Sequence, residues 1–272
     1  AHTPSAPGHR RPAPTTAVLP SAPPRGGMKI RGERECKNCD TRWSYYETGE
    51  AACPDCGSLR SVAVEDERRQ HTDSPAEIDL AAHRNALGEG AEIVDVAGDV
   101  EEDCRAYLRK RGFLRGGELR PLDDTFLAVQ ELRAAVADYS RDERVGVERG
   151  NYDREDAERY LLDLLQGADD GDRPAPTDVP EALAPARGLA YATAIEAYRE
   201  DVATYLDEHP DEDARRLLGR VRDQEKRLSA LGGDLPPETV KSLVRACRDL
   251  GRYLSGEESA LATARQRLDE LD

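Results

Sequence analysis

Long apolar runs are absent from this sequence of 272 residues. A helix that spans a bilayer needs about 20 consecutive apolar residues, and the longest candidate, 189–195, is far shorter. The apolar core of a signal peptide is also missing from the N-terminus. These absences predict a cytoplasmic protein with no membrane partner. The reducing conditions of the cytoplasm would keep its cysteines as thiols.

Motifs of common catalytic sites are missing as well. The sequence has no glycine-rich phosphate loop, no Gly-x-Ser-x-Gly turn and no His-Glu-x-x-His helix. A di-iron site in a helical bundle needs a glutamate three residues before a histidine, and none of the five histidines has one. We therefore expect no enzymatic activity.

Basic residues are few relative to acidic ones, 39 against 55, and only five of them are lysines. Aromatic side chains are also scarce, with two Phe and one Trp, so that Ala and Leu fill the apolar positions. The formal charge of -16 makes the chain repel itself in dilute buffer. This composition is typical of proteins from salt-accumulating halophiles. An ordinary acidic protein and partial disorder are the alternatives, and regular apolar periodicity argues against disorder.

Salt should stabilise such a chain. Residues 1–27 carry a charge of +3, so from the total of -16 the remaining 245 residues carry -19. We expect the unfolding temperature to rise steeply between about 0.1 M and 2 M KCl, because screening weakens the repulsion among acidic side chains. Thermal melts followed by circular dichroism measure this effect. An unchanged midpoint would show that the acidity is not an adaptation to salt.

Two closely spaced cysteine pairs are the most informative feature present. Cys36 and Cys39 form one Cys-x-x-Cys pair, Cys53 and Cys56 form another, and thirteen residues separate the pairs. Two residues between cysteines let both thiolates reach one ion, and two such turns complete a tetrahedral four-sulfur shell. Two disulfides or unrelated buried thiols are the alternative, which the missing signal peptide and the short span disfavour.

The four-sulfur donor set accepts either zinc or iron. In the iron sites of rubredoxins a glycine usually follows each cysteine pair, whereas here Gly57 follows the second pair and Asp40 follows the first. We therefore favour zinc over iron. Zinc with four thiolates has no open position for water, so its role would be structural.

Composition and apolar spacing divide the chain into six segments. Residues 1–27 hold seven of the seventeen prolines, and we expect either an extension upstream of a native start at Met28 or a genuine disordered arm. The other five are a metal-binding module at 28–62, a linker at 63–73, a helical domain at 74–166 with a β-hairpin near 112–122, a linker at 167–180, and a four-helix bundle or helical hairpins at 181–272.

Local signals predict where several of these elements begin. Ser74-Pro75-Ala76-Glu77 has the form of an N-cap with a capping box, so we expect the first helix to start there. A short extended piece at 91–96 and a helix opening at Asp99 should follow. Gly116-Gly117 suits a tight hairpin turn, and Asp178 should cap the first helix of the C-terminal segment.

The segment from Met28 to about Arg60, centred on CKNCDTRWSYYETGEAACPDCGS, resembles the zinc ribbons of transcription-factor-B-type proteins. From Met28 onward the chain resembles an uncharacterised family of haloarchaeal proteins that join such a ribbon to an acidic helical region. This resemblance implies that the two cysteine pairs are zinc ligands. The expected fold class is mainly α with a small N-terminal β zinc ribbon and a helical bundle or hairpins in the C-terminal part.

Two functions fit these features. The first is a docking module without catalytic activity, in which the ribbon and the helical bundle each present a surface to another protein. The resemblance implies an association with transcription, and the C-terminal helices could also form an oligomer. The second is nucleic-acid binding through the ribbon and a basic segment. A rubredoxin-like redox protein is a distant third. The basic segment consists of Arg105, Arg109, Lys110, Arg111, Arg115 and Arg120.

The basic segment also has a purely structural interpretation. Cations are favoured at the C-terminal end of a helix by the helix dipole, and acidic neighbours can neutralise them. We favour this interpretation, because runs of charge are commonly solvated faces and strong salt weakens phosphate binding.

Overall fold

The structure is a computed structural model that describes residues 28–145 and 154–271. Within these ranges the chain is mainly α-helical, with small antiparallel sheets in its N-terminal part. This confirms the predicted fold class. Residues 1–27, which we predict to be an extension or a disordered arm, lie outside the described residues.

Five short strands lie before the first long helix. Strand β1, Met28–Ile30, pairs with β5, Arg69–His71, so that the entry and exit of the N-terminal module lie side by side. Between them, β2 forms the centre of a three-stranded antiparallel sheet, flanked by β3 and β4. The bounds are Glu33–Cys36 for β2, Arg42–Ser44 for β3 and Ser61–Ala63 for β4, and a single turn of helix, α1, covers Tyr45–Thr48.

Longer helices form most of the remaining described chain. Between the second and third of them, strands β6 and β7 form a hairpin whose turn residues Gly116 and Gly117 have φ of 59° and 87°. Glycine adopts such positive φ values without steric cost. The bounds are α2 Ala81–Gly88, α3 Ile93–Lys110, β6 Leu114–Arg115, β7 Glu118–Leu119, α4 Asp124–Val145, α5 Arg154–Gly167, α6 Ala184–Glu208, α7 Glu212–Ala230, α8 Pro237–Leu254 and α9 Ser259–Asp269.

One hydrophobic core joins the helices on both sides of residues 167–180. Helix α4 packs against α3, α5 and α6, while α8 packs against α9 and α7. The stripe of apolar residues on α6, from Tyr191 to Val202, is buried within this core, so it faces other helices of the same chain. Among the described residues, none of the helices combines the length and apolar character that crossing a membrane requires.

The segments predicted as linkers contain ordered elements. Strand β5 lies within 63–73, and a one-turn 3₁₀ helix, Pro176–Asp178, lies within 167–180. The predicted helix cap at Asp178 is wrong, because α6 begins at Ala184. Val179 precedes Pro180 and has extended backbone, with ψ of 119°, because a following proline disfavours the helical conformation; a helix therefore cannot continue from Asp178.

Two other predicted helix starts are also wrong. Residues 74–80 are not helical and α2 begins at Ala81, because tertiary bonds hold the preceding chain: the backbone N–H of Ser74 donates to the carbonyl of Lys110 at 2.9 Å. Helix α3 begins at Ile93, so 91–96 is not an extended piece. Its N-cap is Glu92, which forms a reciprocal capping box with Asp95.

Tyr46 connects the N-terminal module to the helical part. Its hydroxyl lies 2.8 Å from the carbonyl oxygen of Ile30 and 2.5 Å from a carboxylate oxygen of Glu65. Burial and the bond to Glu65 raise the pKa of Tyr46 to about 12. The ring also lies against the hairpin turn, where a Cβ on Gly116 would be 3.1 Å from it. Tyr46 is therefore packed between the N-terminal module and the β6–β7 hairpin.

His71 is buried beside this contact, with no hydrogen-bond partner for either ring nitrogen. The rings of Tyr45 and Tyr46 lie 5.9 and 5.2 Å from it, centroid to centroid. Burial lowers the pKa of His71, and the charge of Arg115 lowers it further against the opposing charges of Asp73 and Glu47. The folded state therefore takes up a proton at lower pH than the unfolded chain.

This difference predicts a loss of stability in mild acid. Below about pH 6.5 the unfolded chain binds a proton at His71 before the folded chain does, so the free energy of unfolding should fall as the pH is lowered further. Urea denaturation between about pH 7 and 5 measures the slope, and His71→Gln should flatten it. His209→Gln is the control, because His209 is exposed. Equal slopes in wild type and His71→Gln would contradict this assignment.

Candidate metal centre

Both cysteine pairs lie on turns of the same form. The N–H of Cys36, at the end of β2, donates to the carbonyl of Thr41 at 2.8 Å, and the N–H of Cys53 donates to the carbonyl of Ser58 at 2.9 Å. In each turn the residue four positions after the first cysteine has left-handed backbone: φ is 57° for Asp40 and 69° for Gly57. Aspartate tolerates this conformation better than most residues, so Asp40 takes the place that Gly57 takes in the second turn.

The two turns bring the four sulfur atoms together. The Sγ–Sγ distances are 3.6 Å for Cys36–Cys56, 3.6 Å for Cys39–Cys53 and 3.4 Å for Cys39–Cys56. All four ligand atoms lie within 4.8 Å of one another. A tetrahedral shell with metal–sulfur bonds of about 2.3 Å requires sulfurs about 3.8 Å apart, whereas a disulfide requires about 2.05 Å. The geometry therefore suits a shared metal ion, and all four cysteines are free thiols.

The cluster is covered on one side and open on the other. Cys36 and Cys53 are buried against Trp43, and these three residues form a hydrophobic cluster separate from the main core. The indole N–H of Trp43 donates to the carbonyl of Glu50 at 3.0 Å, which fixes the orientation of the ring within this cluster. Cys56 is exposed. A metal ion here would thus be held at the surface of the module.

Without a metal, the thiols differ in acidity. Burial raises the pKa of Cys53, but hydrogen bonds from the backbone of Cys56 and Asp55 outweigh it, so the net pKa is lowered. At Cys56 a backbone bond from Ser58 lowers the pKa, but the sulfur of Cys39 and burial raise it to about 11. A bound cation replaces such protons, because only thiolates act as ligands.

The two remaining cysteines have a different environment. Cys104 and Cys247 lie in the main hydrophobic core, and burial raises the pKa of each thiol to about 12. Both therefore stay protonated at neutral pH. They act as small apolar side chains and not as ligands.

In the structure, two of the six residues of the predicted basic segment are partly buried and the other four are exposed. Arg111 contacts Asp73 at 2.9 Å and Asp123 at 2.8 Å, while Arg115 contacts Asp73 at 2.5 Å and Glu47 at 3.5 Å. On the surface, Arg105 pairs with Glu101. The other three members, Arg109, Lys110 and Arg120, are exposed. Two of the six cations are therefore engaged in the interior.

Asp73 is the residue that the sequence did not indicate. Its side chain is fully buried. The carboxylate accepts hydrogen bonds from the guanidinium groups of Arg111 and Arg115 and from the backbone N–H of Gly112, the last at 3.3 Å. In the sequence it is one acid among many in a polar stretch, and its partners lie 38 residues or more away. No local pattern marks it.

The fold and the cysteine cluster together define a class: a mainly helical protein with an N-terminal four-cysteine module that could hold a metal ion. The chain belongs to a protein family whose model is described as a family of unknown function (DUF7117) and matches residues 28–268. No curated protein and no solved structure matches the chain.

Proposed function

We propose that this protein is a non-catalytic docking protein whose N-terminal module is a zinc ribbon. The convergence of four cysteine sulfurs at near-tetrahedral spacing carries the proposal. Zinc in an all-thiolate shell keeps no position for water or substrate, so the ion would stabilise the module and perform no chemistry. The resemblance to transcription-factor-B-type ribbons supports a partner associated with transcription.

The outer strand of the ribbon offers a surface for such a partner. Strand β4 lies at the edge of its sheet and carries Val62, while Leu59 and Val64 flank it. All three side chains are exposed, Leu59 to 76%. An edge strand with exposed apolar side chains can pair with an extended segment of another protein through backbone hydrogen bonds.

Charge distinguishes the ribbon from the rest of the molecule. Residues 28–65 contain six basic and seven acidic residues, within a chain that carries -16. A protein partner would therefore meet little repulsion at the ribbon, whereas the acidic helical part repels other acidic proteins. This supports the ribbon over the helices as the docking surface.

Paired variants test the docking surface. The double change Leu59→Glu and Val62→Glu should abolish co-purification of the partner from a native high-salt extract, because it places one charge on the edge strand and another just before it. Leu162→Glu with Leu189→Glu is the matched control, since both leucines are exposed on helices. Equal retention by the two variants, or no co-purifying protein with wild type, would count against docking through β4.

Nucleic-acid binding is supported less well. Arg111 and Arg115 are held by Asp73 and its neighbours, so only part of the predicted basic segment is free to meet phosphates. Strong salt would weaken the contacts of the remaining cations steeply.

A further inference from the structure

A second candidate site lies away from the ribbon, in a cleft of about 490 Å³ between α4, α6 and α8. Residues 170–176 form another wall of it. Its lining includes five cations, although the chain as a whole carries -16. Three aspartates, Asp124, Asp170 and Asp172, also line the cleft, so five positive and three negative side chains give the lining a net charge of +2. A cleft with an excess of one sign of charge concentrates ions of the opposite sign. The five cations are Arg173, Arg187, Lys241, Arg245 and Arg248.

Two of these arginines share one acidic partner. Arg173 and Arg248 each place Nη2 against the same oxygen of Asp124, Oδ1, at 2.5 and 2.8 Å. A single carboxylate carries one negative charge, so it leaves one of the two guanidinium charges uncompensated. Asp124 is also the first residue of α4, and the positive end of that helix dipole lies at the cleft.

The inner wall of the cleft is held rigidly. The hydroxyl of Tyr191 donates to buried Glu131 at 2.6 Å and accepts bonds from Arg173 at 2.8 Å and Arg187 at 3.1 Å. Arg187 is itself buried, with Nε 3.4 Å from Glu131. Glu131 balances the charge of Arg187. This network fixes two guanidinium groups in place before any ligand arrives.

Helix α8 forms the outer wall of the cleft and adds two further cations to it. Lys241 and Arg245 lie one turn apart on α8 and so on one face of it. The ammonium nitrogen of Lys241 lies 3.7 Å from carboxylate oxygen Oε1 of Glu238. In the part of the chain that the structure describes, Arg245 is exposed and has no ion-pair partner, and neither Asp170 nor Asp172 pairs with any of the five cations. Among the described residues, Arg245 and one of the two arginines at Asp124 therefore keep a charge that no ion pair neutralises.

We propose that this cleft binds the phosphate group of a small molecule. Guanidinium forks and an ammonium are the groups that proteins use to hold phosphate oxygens, and a multiply charged anion suits more than one uncompensated cation. The volume of the cleft is in the usual range for small-molecule sites. The site is separate from the cysteine cluster and does not depend on the proposed zinc.

Isothermal titration of the full chain with inorganic pyrophosphate, in low-chloride buffer, tests the proposal. Lys241→Ala with Arg245→Ala should weaken binding by about tenfold or more, because both lost contacts are charge-assisted. Arg109→Ala with Lys110→Ala is the matched control: it removes the same two charges from exposed positions that do not line the cleft. Its affinity should equal that of wild type.

Two results would overturn the proposal. One is the absence of binding by wild type at millimolar pyrophosphate. The other is an equal loss of affinity in the cleft variant and in the control variant, which would show that pyrophosphate responds to the overall charge of the protein and does not bind in the cleft. Circular dichroism verifies folding of each variant. If the double variant does not fold, Arg245→Ala alone serves, since this exposed side chain has no ion-pair partner in the described chain.

Discussion

Replacing Cys39 by serine is expected to abolish the proposed metal binding and unfold the N-terminal module, while the helices remain folded. The module has only a three-residue hydrophobic cluster of its own, Cys36, Trp43 and Cys53. A structural zinc supplies about 10–16 kcal/mol of binding free energy in small domains, and such domains unfold without it. The helices have a separate core that extends from Leu80 to Leu268.

The chain has a natural probe for each part. Trp43 is the single tryptophan and is buried beside the cysteines, so its fluorescence reports on the module alone. Far-ultraviolet circular dichroism reports on the helices. Cys39→Ser should change the first signal and leave the second almost unchanged. Elemental analysis should find one zinc per wild-type chain and none in the variant.

Cys104→Ser is the control for this experiment. It makes the same chemical change in the main core, so it should retain the metal ion whatever it does to stability. Less than half an equivalent of metal in wild type, or mainly iron, would refute the zinc assignment. Concerted loss of the helical signal in Cys39→Ser would show that module and helices fold as one unit.

Arg111→Glu is expected to destabilise the whole fold by about 3–5 kcal/mol, the usual cost of removing one member of a buried ion pair. The change would leave fully buried Asp73 with Arg115 and set a new carboxylate beside it. Urea denaturation followed by circular dichroism measures the loss.

Arg109→Glu is the matched control, two residues away on α3. Arg109 is exposed in the last helical turn. Reversing its charge should change the free energy of unfolding by about 0.5 kcal/mol at most, as is usual for a surface substitution. The lost interaction with the helix dipole adds about 0.3–1 kcal/mol. Similar losses in the two variants would contradict the buried role of Arg111. If the basic segment bound nucleic acid, Arg109→Glu would reduce retention while stability stayed nearly constant.

Short-range signals explain where sequence reasoning succeeded and where it failed. Apolar residues at helical spacing predicted the helical segments 74–166 and 181–272, which contain α4 and α6, because a helix must bury one face whatever its neighbours are. The capping signal at Ser74 was equally clear but misleading. There the backbone donates to the carbonyl of Lys110 instead, and the tertiary contact overrides the local preference.

By itself, the sequence determined the helical class, the acidic surface and the set of thiols that two short turns can bring to one point. Each of these depends on composition or on residues a few positions apart. Only the tertiary structure decided that Arg111 is neutralised by Asp73, and that arginines from α6, α8 and the segment before α6 surround one cleft. Such contacts join residues far apart in the chain. Their partners are selected by packing of whole helices, which leaves no periodic trace in the sequence.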